Sequence, residues 1–176
     1  MPIYTRTGDD GTTALYGGRR LLKSDPQVEA YGCVDELTTT LGILMLYIKD
    51  REELRFVGDI QLDLYAIMSS LAQAPTNLSN QKRKIMMFEE KIDSLTGKLP
   101  PLTHFILPQG PKASCWAHMA RVICRKTERA VIFFFKKAKK LDDKNTQIIV
   151  KYLNRLSDLL FTYARSFNTT KEIATR

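Results

Sequence analysis

The chain of 176 residues is 44% hydrophobic, which suits one full-sized core and is too short for two, so we expect a single domain over residues 1–176. Its 27 lysines and arginines outnumber 19 acidic residues and give a net charge of +8, which favours an anionic partner such as nucleic acid, an acidic membrane surface or a phosphorylated small molecule. Three cysteines and two histidines fit neither a disulfide framework nor paired zinc spacing and favour a reducing cytoplasm, and no apolar run reaches the ~18 residues of a membrane span.

Residues 3 to 20 predict an irregular arm rich in glycine and hydroxyl groups. The sequence from Tyr4 to Thr13 is YTRTGDDGTT, and two glycines and two arginines follow at residues 17 to 20. Glycine lets a backbone approach a ligand closely, and threonine hydroxyls can line phosphate oxygens. The spacing is not that of a Walker A loop, and the start has no hydrophobic segment typical of a signal peptide. A flexible terminus and a phosphate-binding arm both remain open from these residues alone.

Hydrophobic periodicity and capping signals predict five helices. Asp25-Pro26 is typical of an N-cap followed by proline in the first turn, and Asp50 with Glu53 is typical of a capping box. The expected spans are about 25–49, 50–73, 81–96, 110–140 and 142–168. The residues expected in the core are Val34, Leu37, Leu41, Leu44 and Ile48 on the first helix and Leu153, Leu156, Leu160 and Tyr163 on the fifth. These elements make an all-α fold, a five-helix bundle with antiparallel neighbours.

A short apolar stretch, THFILPQGP at residues 103 to 111, separates the third helix from the fourth. Its periodicity permits a strand, but a lone strand would have no partner. We therefore expect an extended loop that lies across the helices.

The fourth helix carries an arginine stripe, which consists of Arg121, Arg125 and Arg129. Recurrence every four residues places these side chains on one helix face, with Glu128 and His118 on its flank. Like charges at this spacing destabilise a free helix by about 0.2–0.5 kcal/mol per pair, so the pattern suggests a compensating anion such as a polyphosphate. The alternative is a solvated basic face on an amphipathic helix, and this segment alone does not decide between them.

Five blocks of the sequence follow one another in an order that is specific when they are taken together. They are YTRTGDDGxT with Lys23 downstream, AYGxVDEL at residues 30 to 37, FILP at 105 to 108, ARxxCRxxER at 120 to 129 and NRLSD at 154 to 158. Together they resemble the PduO-type ATP:cob(I)alamin adenosyltransferases over nearly the whole chain. The resemblance favours a functional arginine stripe over a solvated one.

The resemblance implies a homotrimer of five-helix bundles with active sites between neighbouring subunits, and an arm over residues 1–24 that orders on ATP. The residues at ATP-binding positions are Thr5, Arg6, Thr7, Gly8, Thr12, Thr13, Lys23, Arg125, Lys126, Glu128, Arg129, Asn154 and Ser157. Glu128 would also hold Mg²⁺ together with the phosphates of ATP. Asp35 and Arg121 match a pair across the subunit interface. Phe105 and Phe161 match the cobalamin side, with Phe105 on the lower face of the corrin.

The implied reaction transfers the 5′-deoxyadenosyl group of ATP to cob(I)alamin and releases triphosphate. Because cob(I)alamin is itself a strong nucleophile, no side-chain nucleophile is required. The implied catalytic residues are Arg125, Glu128 and Phe105: charge on the leaving triphosphate must be neutralised, and the lower axial ligand of cobalt must be excluded. A reductase and an adenosylcobalamin-dependent enzyme are further expected partners, whereas nucleic acid and membrane are not.

Some positions depart from the family's pattern. Lys126 stands where an arginine is usual, so a point charge replaces a bidentate contact. Gln109 replaces a glycine after FILP, and the link between the fourth and fifth helices is longer and rich in lysine. The sequence also ends soon after Phe167, so we expect that contacts from a longer C-terminal tail are missing.

Two other functions remain to be compared with this one. A nucleotide-binding or cofactor-delivery bundle without turnover would keep the fold, and a single-turnover assay with ATP and reduced cobalamin would separate it. A basic helical protein that binds nucleic acid would explain the charge and would show a steep salt dependence of affinity. Glu128 inside the stripe and the lack of stacking aromatics on that face argue against nucleic acid.

Overall fold

The computed structural model describes residues 3–170 and 172–173, which form five long helices and a small hairpin. The helices are α1 (Pro26–Met45), α2 (Arg51–Leu71), α3 (Ser79–Thr96), α4 (Lys112–Lys137) and α5 (Lys144–Ser166). The predicted all-α five-helix bundle is confirmed, although all helices except α3 end a few residues earlier than the pattern predicts. Across the described ranges, every helix is too short or too polar to span a bilayer.

Aspartate side chains start three of the helices. The carboxylates of Asp25, Asp50 and Asp143 accept hydrogen bonds from first-turn backbone N–H groups of α1, α2 and α5. A capping box would also have the Glu53 side chain bond back to the backbone of Asp50, and this part of the prediction is wrong. Glu53 instead accepts a hydrogen bond from the Tyr163 hydroxyl and pairs with Lys91. Glu53 therefore ties α2 to α5 and α3 and leaves the cap to the aspartate alone.

Helix α4 packs against both α1 and α5, while α2 packs on α1 and α3 packs on α5. All the core residues predicted on the first and fifth helices are buried. Small polar groups of α4 bond across both contacts: the Thr127 hydroxyl donates to the Cys33 carbonyl at 2.9 Å, and the Cys124 thiol donates to the Leu153 carbonyl at 3.2 Å. These contacts fix the rotation of α4 and leave its other face, which carries the arginines, toward solvent.

The sequence predicts an irregular arm, but part of the arm forms a hairpin. Strands β1 (Thr12–Ala14) and β2 (Arg20–Leu22) pair antiparallel around a 3₁₀ turn that contains Gly17 and Gly18. Both glycines have φ near +80°, at 79° and 82°, a conformation that side chains rarely adopt. The strands are three residues long, too short to show the alternation by which strands are recognised.

The loop between α3 and α4 is extended, as predicted, and it lies against the C-terminal segment. The Leu107 N–H donates to the Ile173 carbonyl at 2.9 Å. Near the end of α5, Arg165 donates to the Pro100 carbonyl at 2.8 Å and pairs with Glu172 at 2.8 Å. The sequence predicts no partner for this stretch, because its partner follows it by more than sixty residues.

Candidate functional site

The arginine stripe lies on the outer face of α4 and becomes more exposed along the helix. Arg121 is half-buried, and Arg125 and Arg129 are exposed. In the described parts of the chain, no acidic side chain pairs with Arg125 or Arg129. These two guanidinium groups are therefore open to an anion from outside the chain.

The charged residues between these arginines do have partners. The Lys126 ammonium donates to Oε2 of Glu36 on α1 at 2.8 Å, and this hydrogen bond raises the pKa of Lys126. On the other flank, the amide of Asn154 on α5 donates to Oε1 of Glu128 at 3.2 Å. The structure thus brings together Glu128, Asn154 and the exposed arginines at the junction of α4 and α5, while the ammonium of Lys126 is held toward α1.

Ser157 lies behind Asn154 on α5. Its side chain belongs to a residue that is only 2% exposed, and its hydroxyl donates to the Asn154 carbonyl at 2.8 Å. This position lets Ser157 steady Asn154 from the bundle side, and its predicted contact with ATP stays a prediction.

Glu128 is the carboxylate in this cluster that could contact a metal ion. Across residues 3–170 and 172–173, no group of three or more His, Cys, Asp and Glu side chains could hold a metal ion. Mg²⁺ commonly uses one or two carboxylates and takes its other ligands from substrate phosphates and water. The Oε2 atom of Glu128, beside the oxygen that Asn154 binds, fits a magnesium ion that arrives with a polyphosphate.

A second group of candidate residues surrounds Phe161 where α5 meets α4. The guanidinium carbon of Arg121 lies 6.0 Å from the centre of the Phe161 ring, and the His118 ring lies 6.1 Å from it. Nε of Arg121 and Nδ1 of His118 are buried and lack a hydrogen-bond partner in the described residues. Burial lowers the pKa of both side chains, with further lowering by Arg125 on Arg121 and by Arg121 on His118. The sequence analysis did not place His118 beside the cobalamin-side residue, although its spacing from Arg121 is a signal for it.

Asp35 and Phe105 are both exposed candidate residues. Asp35 is exposed on α1 and forms no ion pair with any described residue, Arg121 included. Phe105 is 85% exposed on the loop that precedes α4. The described residues of one chain thus contain no pair between Asp35 and Arg121, and the predicted pair across a subunit interface stays a prediction.

The candidate residues of the arm form a hydrogen-bonded unit of their own. The Lys23 ammonium donates to the Gly8 carbonyl at 2.8 Å, and Arg20 donates to the Thr7 carbonyl and the Thr12 hydroxyl. The remaining candidates, Thr5, Arg6 and Thr13, lie in the same segment. Among the described residues, no side-chain hydrogen bond or ion pair joins this unit to α4 or α5. Sequence analysis missed the organising role of Arg20, which depends on the hairpin register.

The structure is a helical bundle with a basic face on α4 and a glycine–threonine arm, and both are suited to a nucleotide polyphosphate. The sequence matches the cobalamin adenosyltransferase family over residues 3–167. The chain belongs to this family.

Several relatives cover nearly the whole chain. A corrinoid adenosyltransferase from Citrobacter freundii is 37% identical over 176 residues, which is 97% of each chain. The corrinoid adenosyltransferase MMAB from Bos taurus is 39% identical over 93% of this chain and 70% of its own. The corrinoid adenosyltransferase PduO from Citrobacter freundii is 37% identical over 94% of this chain, which spans 50% of that protein's length.

Solved structures show the same fold. A variant PduO-type ATP:corrinoid adenosyltransferase from Lactobacillus reuteri, complexed with cobalamin and ATP, superimposes with a TM-score of 0.89 at 31% identity. The match covers 99% of both chains. Another variant from the same organism, complexed with ATP, superimposes with a TM-score of 0.85.

Proposed function

We propose that this protein transfers the 5′-deoxyadenosyl group of ATP to cob(I)alamin, forming adenosylcobalamin and releasing triphosphate. The proposal rests on two exposed guanidinium groups, those of Arg125 and Arg129, which have no acidic partner among the described residues and lie beside Glu128 and Asn154. The chain that carries them matches the cobalamin adenosyltransferase family from residue 3 to residue 167. A polyanionic leaving group requires fixed positive charge, and these arginines supply it.

The reaction moves one group between two substrates. The reduced corrinoid supplies the electron pair that attacks the 5′ carbon of ATP, and the bond from that carbon to the triphosphate oxygen breaks. Arg125 and Arg129 stabilise the negative charge that gathers on the triphosphate, because guanidinium groups bind phosphate oxygens through paired N–H donors. Asn154 orients Glu128, which would hold Mg²⁺, and the ion would add positive charge at the phosphates. Lys126 has a smaller role, since Glu36 already holds its ammonium.

The arm, residues 1–24, serves as a cover for ATP over the bundle of residues 25–176. The arm residues that would contact ATP are Thr5, Arg6, Thr7, Gly8, Thr12, Thr13 and Lys23. Two observations support a cover that comes from a neighbouring subunit. Arg20 and Lys23 hold the arm together by hydrogen bonds, and the arm's side chains make no hydrogen bond to α4 or α5 among the described residues. Gly8 has little room for a side chain, because a Cβ there would lie 3.2 Å from the Thr12 carbonyl.

A homotrimer would bring Asp35 of one copy to Arg121 of the next. The buried Nε of Arg121 lacks an acceptor in the described residues, and the exposed carboxylate of Asp35 lacks a cation. Sedimentation of Asp35→Arg should give smaller species, and the charge-swapped Asp35→Arg with Arg121→Asp should recover part of the trimer. Equal sedimentation of Asp35→Arg and the unmodified chain would rule out this pair.

Phe105 and Phe161 form the corrin side of the site. Phe105 is exposed on a loop held by the Pro100 and Leu107 contacts, and its ring would cover the lower corrin face and exclude the axial ligand. A cobalt without that ligand accepts an electron more easily. We further propose that a reductase supplies this electron and that an adenosylcobalamin-dependent enzyme takes the product.

The cytoplasm is the proposed compartment. The three cysteines, Cys33, Cys115 and Cys124, are all free thiols, as expected where the surroundings are reducing.

A single-turnover experiment tests the proposed reaction. The protein is mixed anaerobically with ATP, Mg²⁺ and chemically reduced cobalamin, and the light-sensitive cobalt–carbon product and free triphosphate are measured together. Equal amounts of adenosylcobalamin and triphosphate are expected. ATP binding without release of triphosphate would contradict the proposal and favour a nucleotide-binding or cofactor-delivery bundle.

A further inference from the structure

A groove crosses the end of the bundle where α1 and α5 begin and where α2 and α4 end. Two adjoining cavities of about 320 and 430 Å³, which share Gln73 and Lys140, form it. We call it the end groove and define it by Arg19, Gln73, Phe134, Lys137, Lys140 and Ile149. Lys137 lies two turns beyond Arg129, about 12 Å along α4. The lysines of the end groove therefore lie beyond the arginines of the proposed triphosphate site along α4.

The rim of the end groove carries positive charge that the fold does not neutralise. From residue 136 to residue 144 the chain has five lysines and two aspartates. Among the described residues, neither Lys137 nor Lys140 pairs with a carboxylate. The acids that line the groove, Asp25 and Asp143, use their carboxylates to cap α1 and α5.

The helix dipole accounts for only part of this charge. Lys136 and Lys137 lie in the last turn of α4 and compensate its carbonyl end. Lys140 lies beyond the helix, and Arg19 comes from the arm. Their convergence on one groove is a property of the tertiary fold.

Among the phenylalanine and isoleucine side chains that line the end groove, Phe134 is partly exposed, whereas Phe135 is 7% exposed and Ile149 is fully buried. Phe134 lines one cavity, and Phe135 and Ile149 line the other. The two phenylalanine rings lie 5.0 Å apart between their centres. A ligand in this groove would therefore meet both apolar surface and cations.

Two residues at helix ends near the groove have a left-handed backbone conformation, which glycine adopts with less strain. Gln73 follows α2 with φ 64°, and Lys139 follows α4 with φ 55°. Glycine is the usual residue in this left-handed position at a helix end. Gln73 lines both cavities, and strained positions that keep a side chain are typical of functional sites.

We propose that the end groove binds an extended acidic segment of a partner protein. Its carboxylates would lie along the rim formed by Arg19, Lys137 and Lys140, and an apolar side chain would lie on the partly exposed ring of Phe134. Two adjoining cavities suit an extended chain better than a single small anion, and a concave shape suits a peptide better than a flat bilayer. Charge complementarity of this kind mainly sets specificity and association rate.

Fluorescence anisotropy on the whole protein tests the proposal. The probe is a labelled peptide of about twelve residues, glutamate with leucine at every third position, and a lysine–leucine peptide is the control probe. The double variant Lys137→Glu with Lys140→Glu should bind the acidic peptide about tenfold more weakly. Lys82→Glu with Lys151→Glu, which changes net charge equally at exposed sites on α3 and α5, should bind it like the unmodified chain.

Gln73→Gly separates a binding role from a structural one. Removing the strain at φ 64° should raise the melting temperature, while loss of the side chain should weaken peptide binding several-fold. Hydrogen exchange with bound peptide should show protection around residue 73 and residues 134–149. Equal loss of binding in both double variants, or protection confined to other regions, would overturn the proposal. Tighter binding of phosphatidylserine vesicles or duplex DNA than of the peptide, through Lys137 and Lys140, would also overturn it.

Discussion

Polar side chains between α2, α3 and α5 are paired with one another, whereas those at the exposed end of the arginine stripe are not. Asp63 is buried and accepts hydrogen bonds from Gln81 at 2.9 Å and from the Tyr152 hydroxyl at 3.1 Å. Arg125 and Arg129 are exposed and have no acidic partner in the described residues. Buried polar groups need partners, and single exposed charges contribute little to folding. The first set therefore holds the bundle together, and the second is free to bind a ligand.

Burial changes the ionisation of the first set. Desolvation raises the pKa of Asp63, and Lys84 and the hydrogen bond from Tyr152 partly oppose this. Lys84 pairs with the more exposed Asp59 at 3.5 Å. In this set each change is felt by neighbours inside the fold, whereas a change at Arg125 should be felt mainly by a ligand.

Arg125→Ala should cause the largest loss of function. Removing one preorganised donor from a developing anion typically costs about 10²–10³ in rate, or about 2.7–4 kcal/mol. We expect that loss in adenosylcobalamin formation, with an unchanged melting temperature because the side chain has no acidic partner among the described residues. Arg55→Ala, at an exposed position on α2, is the matched control and should keep full activity. A large drop in melting temperature for Arg125→Ala alone would place this residue in the stabilising set.

Asp63→Ala should do the reverse. The substitution leaves the hydroxyl of Tyr152 and the amide of Gln81 buried without their acceptor, at about 1–3 kcal/mol for each unsatisfied group. Urea unfolding should show this loss of stability, and the activity per folded molecule should be unchanged. Asp93→Ala, at an exposed site on α3, is the control and should unfold like the unmodified chain. Lost activity in folded Asp63→Ala protein would contradict the prediction that Asp63 contributes to stability alone.

Local patterns predicted much of the fold. The spacing of Val34, Leu37 and Leu41 indicates a buried helix face, and Asp25 and Asp50 supply caps that need only neighbouring residues. The hairpin was missed because strands of three residues carry almost no periodic signal. The predicted ends of α1, α2, α4 and α5 lie a few residues too late, because the alternation of polar and apolar residues continues past the last helical turn.

Tertiary partners could not be predicted in the same way. Glu53 has the spacing of a capping box, but its partner Tyr163 lies 110 positions away and no local pattern connects them. The spacing of the arginine stripe was visible in the sequence. The difference between half-buried Arg121 and exposed Arg125 depends on how α5 packs, so only the structure supplies it.

His118 offers a test by pH, since it is a buried titratable group within the stripe's surroundings. Its pKa is lowered by burial and by Arg121 on α4, while Glu172 acts in the opposite direction and Phe161 of α5 packs against the ring. A lowered folded pKa means that the unfolded chain binds more protons. The stability contributed by neutral His118 is therefore present above the unfolded value of 6.5 and is lost as the pH falls below it.

Urea unfolding at about pH 7.5 and about pH 5.5 measures this loss. His118→Phe should flatten the dependence between those values, because the group that takes up the proton is gone. His104→Phe is the matched control, since His104 is exposed in the loop before α4. Identical pH dependence in His118→Phe and the unmodified chain would mean that other groups set the acid sensitivity.

Substitution of Lys126 should have the smallest effect on activity and stability. It tests whether this residue belongs to the stabilising set or to the ligand-binding set. It is a candidate ATP residue, yet its ammonium pairs with Glu36 at 2.8 Å, with the two side chains 46% and 54% exposed. An exposed pair of this kind contributes about 0–1 kcal/mol to stability, so Glu36→Gln should barely change unfolding. Lys126→Ala should weaken ATP binding by only about five-fold, roughly 1 kcal/mol, well short of the effect of Arg125→Ala. A double-mutant cycle over Lys126→Ala and Glu36→Gln, measured by urea unfolding and by ATP titration, separates the two roles. Coupling between the two substitutions in unfolding alone would assign Lys126 to the bundle. If Glu36→Gln binds ATP more tightly, and this gain is lost when Lys126 is also removed, then Lys126 binds the nucleotide once Glu36 no longer holds it.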